Sequence, residues 1–196
     1  MTITTGMQPR HGAVLEPASR AALHLPAWQA NELEAGKFFP ATEAGLNDPY
    51  APSDIPNATP PADGRIASAG KDFAAVLDEP RSDWPKHEVT GGRAFTLTWG
   101  FHAEHKTRRY NYFVTRDSWD PSSPLTRAQF DPEPFHVVQN ACQPFWDCDD
   151  LVPTNPTVHQ MVLPQRTGYH VLLAIWEVAD TPHAFHQVVD LAFVQD

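Results

Sequence analysis

The C-terminal half of the chain carries a period-two pattern that the N-terminal half lacks. Phe95, Leu97, Trp99 and Phe101 alternate with Thr96, Thr98 and Gly100. Strand side chains alternate between faces, so this spacing predicts a half-buried β-strand over 95–101. The aromatic-rich run 110–115 predicts a second strand, and 159–163 a third. Over 169–176, Tyr169, Val171, Leu173 and Ile175 share one face while Leu172, Ala174 and Trp176 fill the other. A strand apolar on both faces belongs at the centre of a sheet covered on both sides. Residues 185–194 read as a closing strand. Short strands parted by turn signals predict an all-β fold, an antiparallel β-sandwich of fibronectin type III-like or immunoglobulin-like kind.

Before residue 90 the pattern breaks. This stretch is rich in Pro, Ala, Asp and Asn, and Pro49, Pro52, Pro56, Pro60 and Pro61 punctuate it. It predicts a long irregular excursion with short helices only, around 26–36 and 70–78. Loops of this length inside a compact domain usually carry function.

Composition adds limits. With 41% hydrophobic residues in 196, the chain can bury a core, and 11–196 is read as a single domain. A net charge of −10 disfavours nucleic acid and anionic membranes, and tolerates a neutral polymer. No apolar run approaches the roughly 18–20 residues that span a bilayer. The first ten residues, MTITTGMQPR, lack the apolar core of a secretion signal and read as an appended leader open to removal, a misplaced start or a genuine cytoplasmic N-terminus. Cys142 and Cys148 lie close in a loop-like segment, which favours a disulfide clasp in an exported protein over two free thiols.

The chemistry-bearing signal is histidine, of which there are ten. His11 follows Arg10, where a protease could cut. As a first residue it would offer one metal both its α-amine and its ring Nδ1; an internal histidine offers only its ring. His102 and His105 lie in the loop after the 95–101 strand, and imidazole suits copper and zinc. Taken alone the pair is weak evidence, because surface histidines outnumber ligands, and it reads as surface histidines. Among the acidic residues, Asp78, Glu79, Asp149 and Asp150 included, nothing marks the catalytic pair that glycoside hydrolysis needs. Trp28 and Trp146, in irregular segments, are the tryptophans most open to the surface. Trp84, Trp99, Trp119 and Trp176 read as core.

Several segments together resemble bacterial chitin-binding proteins of the lytic polysaccharide monooxygenase family. They are the start at His11, Pro61-Ala-Asp-Gly-Arg-Ile-Ala-Ser-Ala69, Tyr112-Phe-Val-Thr-Arg-Asp-Ser-Trp-Asp120 with Pro124-Leu-Thr-Arg127, and His170-Val-Leu-Leu-Ala-Ile-Trp-Glu-Val-Ala-Asp-Thr-Pro-His-Ala-Phe185. The likeness runs in order from His11 to nearly the end. It implies a fibronectin-like sandwich with a long insertion after the first strand. It also implies one copper ion held by His11, through its amine and Nδ1, and by His105, with Phe185 as an apolar axial neighbour and Ala103 a small residue beside the metal.

The implied activity is oxidative cleavage of crystalline chitin, or less readily cellulose, on a flat face. It needs an external electron donor and dioxygen or hydrogen peroxide. Phe38, Phe39, Glu43, His102, Asp180 and His183 match positions of that face. The chain departs from the family's pattern at His102, His183 and Phe38, and lacks a first disulfide around 21–36. A secreted monomer is expected, although no intact signal peptide is visible. The alternatives are a non-catalytic chitin-binding or adhesion module, especially if residues 1–10 are retained, and a structural sandwich that binds protein through its loops.

Overall fold

The computed structural model describes residues 11–48, 51 and 53–195; the leader lies outside them. Nine strands and two short α-helices are described. Strand β1 (Gly12–Glu16) leads into helices α1 (Arg20–His24) and α2 (Ala27–Ala30), then β2 (Glu34–Gly36). After the long excursion come β3 (His87–Thr90), β4 (Ala94–Phe101), β5 (Thr107–Val114), β6 (His136–Gln139), β7 (Thr157–Val162), β8 (Gly168–Val178) and β9 (His183–Val194).

The strands form two sheets. The smaller has the order β1-β4-β7 and the larger β2-β9-β8-β5-β6, each joined by antiparallel pairs. β3 adds to β9 in parallel, a departure from the purely antiparallel expectation. Between the sheets lies one core, with Val14, Leu97 and Trp99 facing Tyr112, Leu172, Trp176, Phe185 and Val189. A second core lies on the other side of the larger sheet. There Val171, Leu173 and Ile175 of β8 pack under Leu33, Ile66 and Leu77 of the insertion. The double-sided apolar pattern of 169–176 therefore has two separate partners, the sister sheet and the insertion.

The insertion is held by specific polar contacts as well as by packing. Ser19 caps α1, its Oγ accepting from Ala22 N at 3.1 Å. Buried Arg20 gives Nε to Asp190 Oδ2 at 2.9 Å and Nη1 to the Leu77 carbonyl at 2.7 Å, which ties α1 to β9. The helix expected over 26–36 is cut short at Ala30. The chain turns there because Leu33 and β2 are taken into the edge of β9, His186 N donating to the Leu33 carbonyl at 2.9 Å. The helix expected over 70–78 is a 3-10 helix, Asp72–Asp78.

Candidate metal centre

Sheet pairing delivers His11 to the loop after β4. Gly12 stands opposite Phe101, and the His11 carbonyl accepts from His102 N at 2.8 Å. A Cβ on Gly12 would lie 2.6 Å from Phe101 Cδ1 and 3.0 Å from Trp176 Cζ3, so glycine is what lets β1 approach this closely. His105 sits in the β4–β5 loop, just before backbone bonds from Thr107 N to Leu151 O and from Ala179 N to Lys106 O, each 2.7 Å. Phe185 comes from β9, opposite Trp176 of β8.

These three side chains converge. The Phe185 ring is fully buried, and both the His11 and the His105 ring centroids lie 6.1 Å from it. Phe185 in turn stacks on Trp176 at 5.0 Å. His105 Nδ1 contacts Asp180 Oδ1 at 3.0 Å, so its Nε2 is the nitrogen left to ligate; a carboxylate behind a histidine is the usual device that sets its orientation and tautomer. His11 Nδ1 is buried and has no hydrogen-bond partner. A buried polar atom without a partner is rare and costly, and a metal would satisfy it. Among the described residues no three His, Cys, Asp or Glu side chains gather into a metal site. A metal here would therefore rest on two imidazoles and a donor of another kind.

The electrostatics favour the ligating form of His11. Burial pushes its imidazole below the usual value; Glu32 and Glu34 oppose that, while His105 and Lys71 push it further down. Glu32 Oε1 lies 3.8 Å from His11 Nε2, and Glu34 pairs with Lys71 at 3.8 Å.

The other expected site residues are distributed less simply. His102 is exposed and reaches His11 through its backbone, and His183 is half-buried at the start of β9. Asp180, expected on the polymer face, turns Oδ1 to His105 instead. Phe39 cannot meet a polymer: it is 4% exposed and packs edge-on against Phe113 and Phe130. Phe38 is half-buried at φ 73°, with the Arg108 guanidinium 4.9 Å over its ring, so it covers buried charge rather than presenting an open ring face. Glu43, expected on the polymer face, is exposed, and its backbone carbonyl accepts from Asn57. Two carboxylates that the sequence reading did not single out, Glu32 and Glu34, act on His11. Sequence reasoning missed those two because they fell inside a predicted helix. Cys142 and Cys148 are joined by a disulfide.

Two aromatics on the insertion are openly presented. Trp28 is 60% exposed and its ring lies 6.5 Å from that of Phe73, itself 40% exposed. Phe73 follows two residues after Lys71, which interacts with both Glu34 and His11. Trp146, by contrast, is half-buried against Phe145.

Comparison with known proteins gives concordant results. A family model described as "Lytic polysaccharide mono-oxygenase, cellulose-degrading" matches residues 11–191. A chitin binding domain from Burkholderia pseudomallei is 49% identical and superposes with a TM-score of 0.90, over 95% of this chain and all of that one. A Bacillus amyloliquefaciens CBM33 protein, solved in complex with Cu(I) after photoreduction, is 30% identical with a TM-score of 0.69, over 94% of this chain and all of that one. The GlcNAc-binding protein A of Vibrio vulnificus (strain YJ016) is 34% identical across 100% of this chain, which spans only 39% of that longer relative.

Proposed function

The chain belongs to the lytic polysaccharide mono-oxygenase family, and from that premise we propose that it cleaves crystalline chitin oxidatively with one copper ion, His11 being its mature N-terminus. The observation that carries the reading is the buried, unpartnered Nδ1 of His11 beside a His105 whose Nδ1 is already engaged by Asp180. The donor set fits copper, which takes imidazole nitrogen in both common oxidation states. The ligands would be the α-amine and Nδ1 of His11 and Nε2 of His105. Bound copper would supply one-electron redox chemistry, drawing on an external donor and on dioxygen or hydrogen peroxide, for removal of hydrogen from a glycosidic carbon.

The chain's own residues prepare that chemistry. Asp180 accepts from His105 Nδ1–H, which keeps the proton off Nε2 and fixes the ring. Phe185 presents hydrocarbon beneath both imidazoles, so no third side-chain donor competes there. Ala103, whose N lies 3.5 Å from the His11 carbonyl, adds only a methyl group to this loop. Trp28 and Phe73 offer ring faces on which a sugar ring can stack, as a flat polymer surface requires. Chitin is preferred over cellulose because relatives are named for chitin and for GlcNAc; secretion follows from an insoluble extracellular polymer as substrate.

The test joins three measurements. Intact mass of the protein from its native host is expected to correspond to a chain starting at His11. That protein should bind one copper ion and release oxidised chito-oligosaccharides only with copper and a reductant. His105→Ala should abolish copper binding with the circular dichroism spectrum unchanged. A mass that retains residues 1–10, with no oxidised product, would leave a chitin-binding module without catalysis, because the His11 nitrogen would then be an amide.

A further inference from the structure

Each imidazole of the metal centre has a carboxylate behind it. Asp180 Oδ1 lies 3.0 Å from His105 Nδ1, the nitrogen not assigned to the metal. Glu32 Oε1 lies 3.8 Å from His11 Nε2, again the nitrogen not assigned to the metal. The first contact is a hydrogen bond and the second an ion-pair distance.

Glu32 is placed by its backbone. Its N donates to the Gln29 carbonyl at 3.0 Å, which fixes it to the end of α2, and its carbonyl accepts from Glu34 N at 2.9 Å. Next to it the Leu33 carbonyl accepts from His186 N, and Glu34 stands opposite Phe185 in the β2–β9 ladder. The turn that carries Glu32 is therefore tied to the strand that carries Phe185. The two side chains are 16% exposed for His11 and 33% for Glu32, so water screens the pair only in part. Glu34 is matched by Lys71 Nζ at 3.8 Å, whereas among the described residues Glu32 pairs with His11 alone. Of the charges acting on the His11 ring, Glu32 is the strongest, ahead of Glu34, His105 and Lys71.

We propose that Glu32 is a positioning residue for His11, its carboxylate holding the ring proton on Nε2, leaving the Nδ1 lone pair free for the metal, and favouring copper(II) over copper(I). A neutral imidazole carries one N–H, and an anion beside one nitrogen selects the tautomer with the proton there. Nδ1, buried and without a partner, is then a pure acceptor. The preference for copper(II) is Coulombic: a fixed negative charge behind a ligand stabilises the more highly charged ion more. That part rests on the copper reading above. Partners behind a ligating histidine are typically worth about 10–100-fold in metal affinity, and the distance and exposure of Glu32 put it at the lower end.

Glu32→Ala tests this, with Glu34→Ala as the control for loss of a nearby charge. In the copper-free protein at about pH 8, above the ordinary imidazole range, nitrogen NMR should show the His11 ring as the Nε2–H tautomer. Glu32→Ala should show a mixture with Nδ1–H, and Glu34→Ala the wild-type tautomer. In titrations with copper ions, Glu32→Ala should weaken copper(II) binding about tenfold relative to copper(I), which raises the reduction potential by about 59 mV. An unchanged tautomer in Glu32→Ala would overturn the positioning role. An unchanged copper(II)-to-copper(I) affinity ratio, or a larger change from Glu34→Ala, would overturn the copper(II) preference. Wild-type protein that binds no copper would end the copper reading and that preference with it, while the copper-free tautomer still decides whether Glu32 positions His11.

Discussion

His11 is distinguished by a bond it does not make. Its ring is partly buried, its Nδ1 has no partner, and its neighbour Gly12 is glycine because Phe101 and Trp176 occupy the space of a Cβ. The residues that count most here are those whose protonation is set by their surroundings. Burial, with a smaller push from His136, lowers the His159 pKa from 6.5 to about 4. Between those values the unfolded chain protonates the ring and the folded chain does not. The unfolded state then holds more protons, so stability falls as pH drops from 6.5 towards 4. Denaturant unfolding at a series of pH values should show a loss in wild type that exceeds that of His159→Gln by up to about 3 kcal/mol. Parallel curves for the two proteins would contradict this assignment. Residue identities were legible in the sequence, including His11, His105 and Phe185. Their roles were less so: Asp180 reads as a polymer contact until its carboxylate is found on His105.

At the scale of elements, the insertion is pinned by buried charge. Arg108 of β5 gives Nε to Asp54 at 2.7 Å and Nη1 to Glu177 of β8 at 2.9 Å, and also pairs with Asp48. Lys37, fully buried, pairs with Asp54 at 2.9 Å, and Glu177 Oε1 accepts from Phe38 N at 3.1 Å. Three cations and three anions, Arg109 included, thus tie the segment after β2 to β5 and β8, the strands next to the loops that carry His105 and Asp180. Removing one partner strands the others. Arg108→Met should cost about 3–5 kcal/mol in unfolding free energy. Limited proteolysis should then cut within 37–57 before the sandwich; cleavage at the wild-type rate would show that the cluster does not hold the loop. Long strands were legible because a pattern sustained over seven or more positions is a strong local signal, alternation in β4 and a double-sided apolar run in β8. β1, β2, β3 and β6 have three to five residues each, and they are strands through their partners.

Across the whole molecule, charge and shape decide what can be bound. With a net charge of −10 and a neutral polymer as the proposed partner, adsorption must rest on stacking and hydrogen bonds. Chitin adsorption should therefore change little between about 50 mM and about 500 mM salt, where exposed charge pairs are screened out. Trp28→Ala should weaken that adsorption on the order of tenfold, a stacking contact of about 1–1.5 kcal/mol, with copper affinity unchanged. Unaltered adsorption would remove Trp28 from the polymer face. The sequence by itself determined the sandwich class, the long insertion and the double-sided β8, and singled out His11 and His105, since periodicity and motifs are local properties. Only the tertiary structure decided that Phe39 belongs to the core, that Glu32 and Glu34 act on His11, and that Asp180 meets His105. Those outcomes depend on which distant strands meet. Burial and partner identity are set by contacts between segments as far apart in sequence as His11 and Phe185, and no local pattern encodes them.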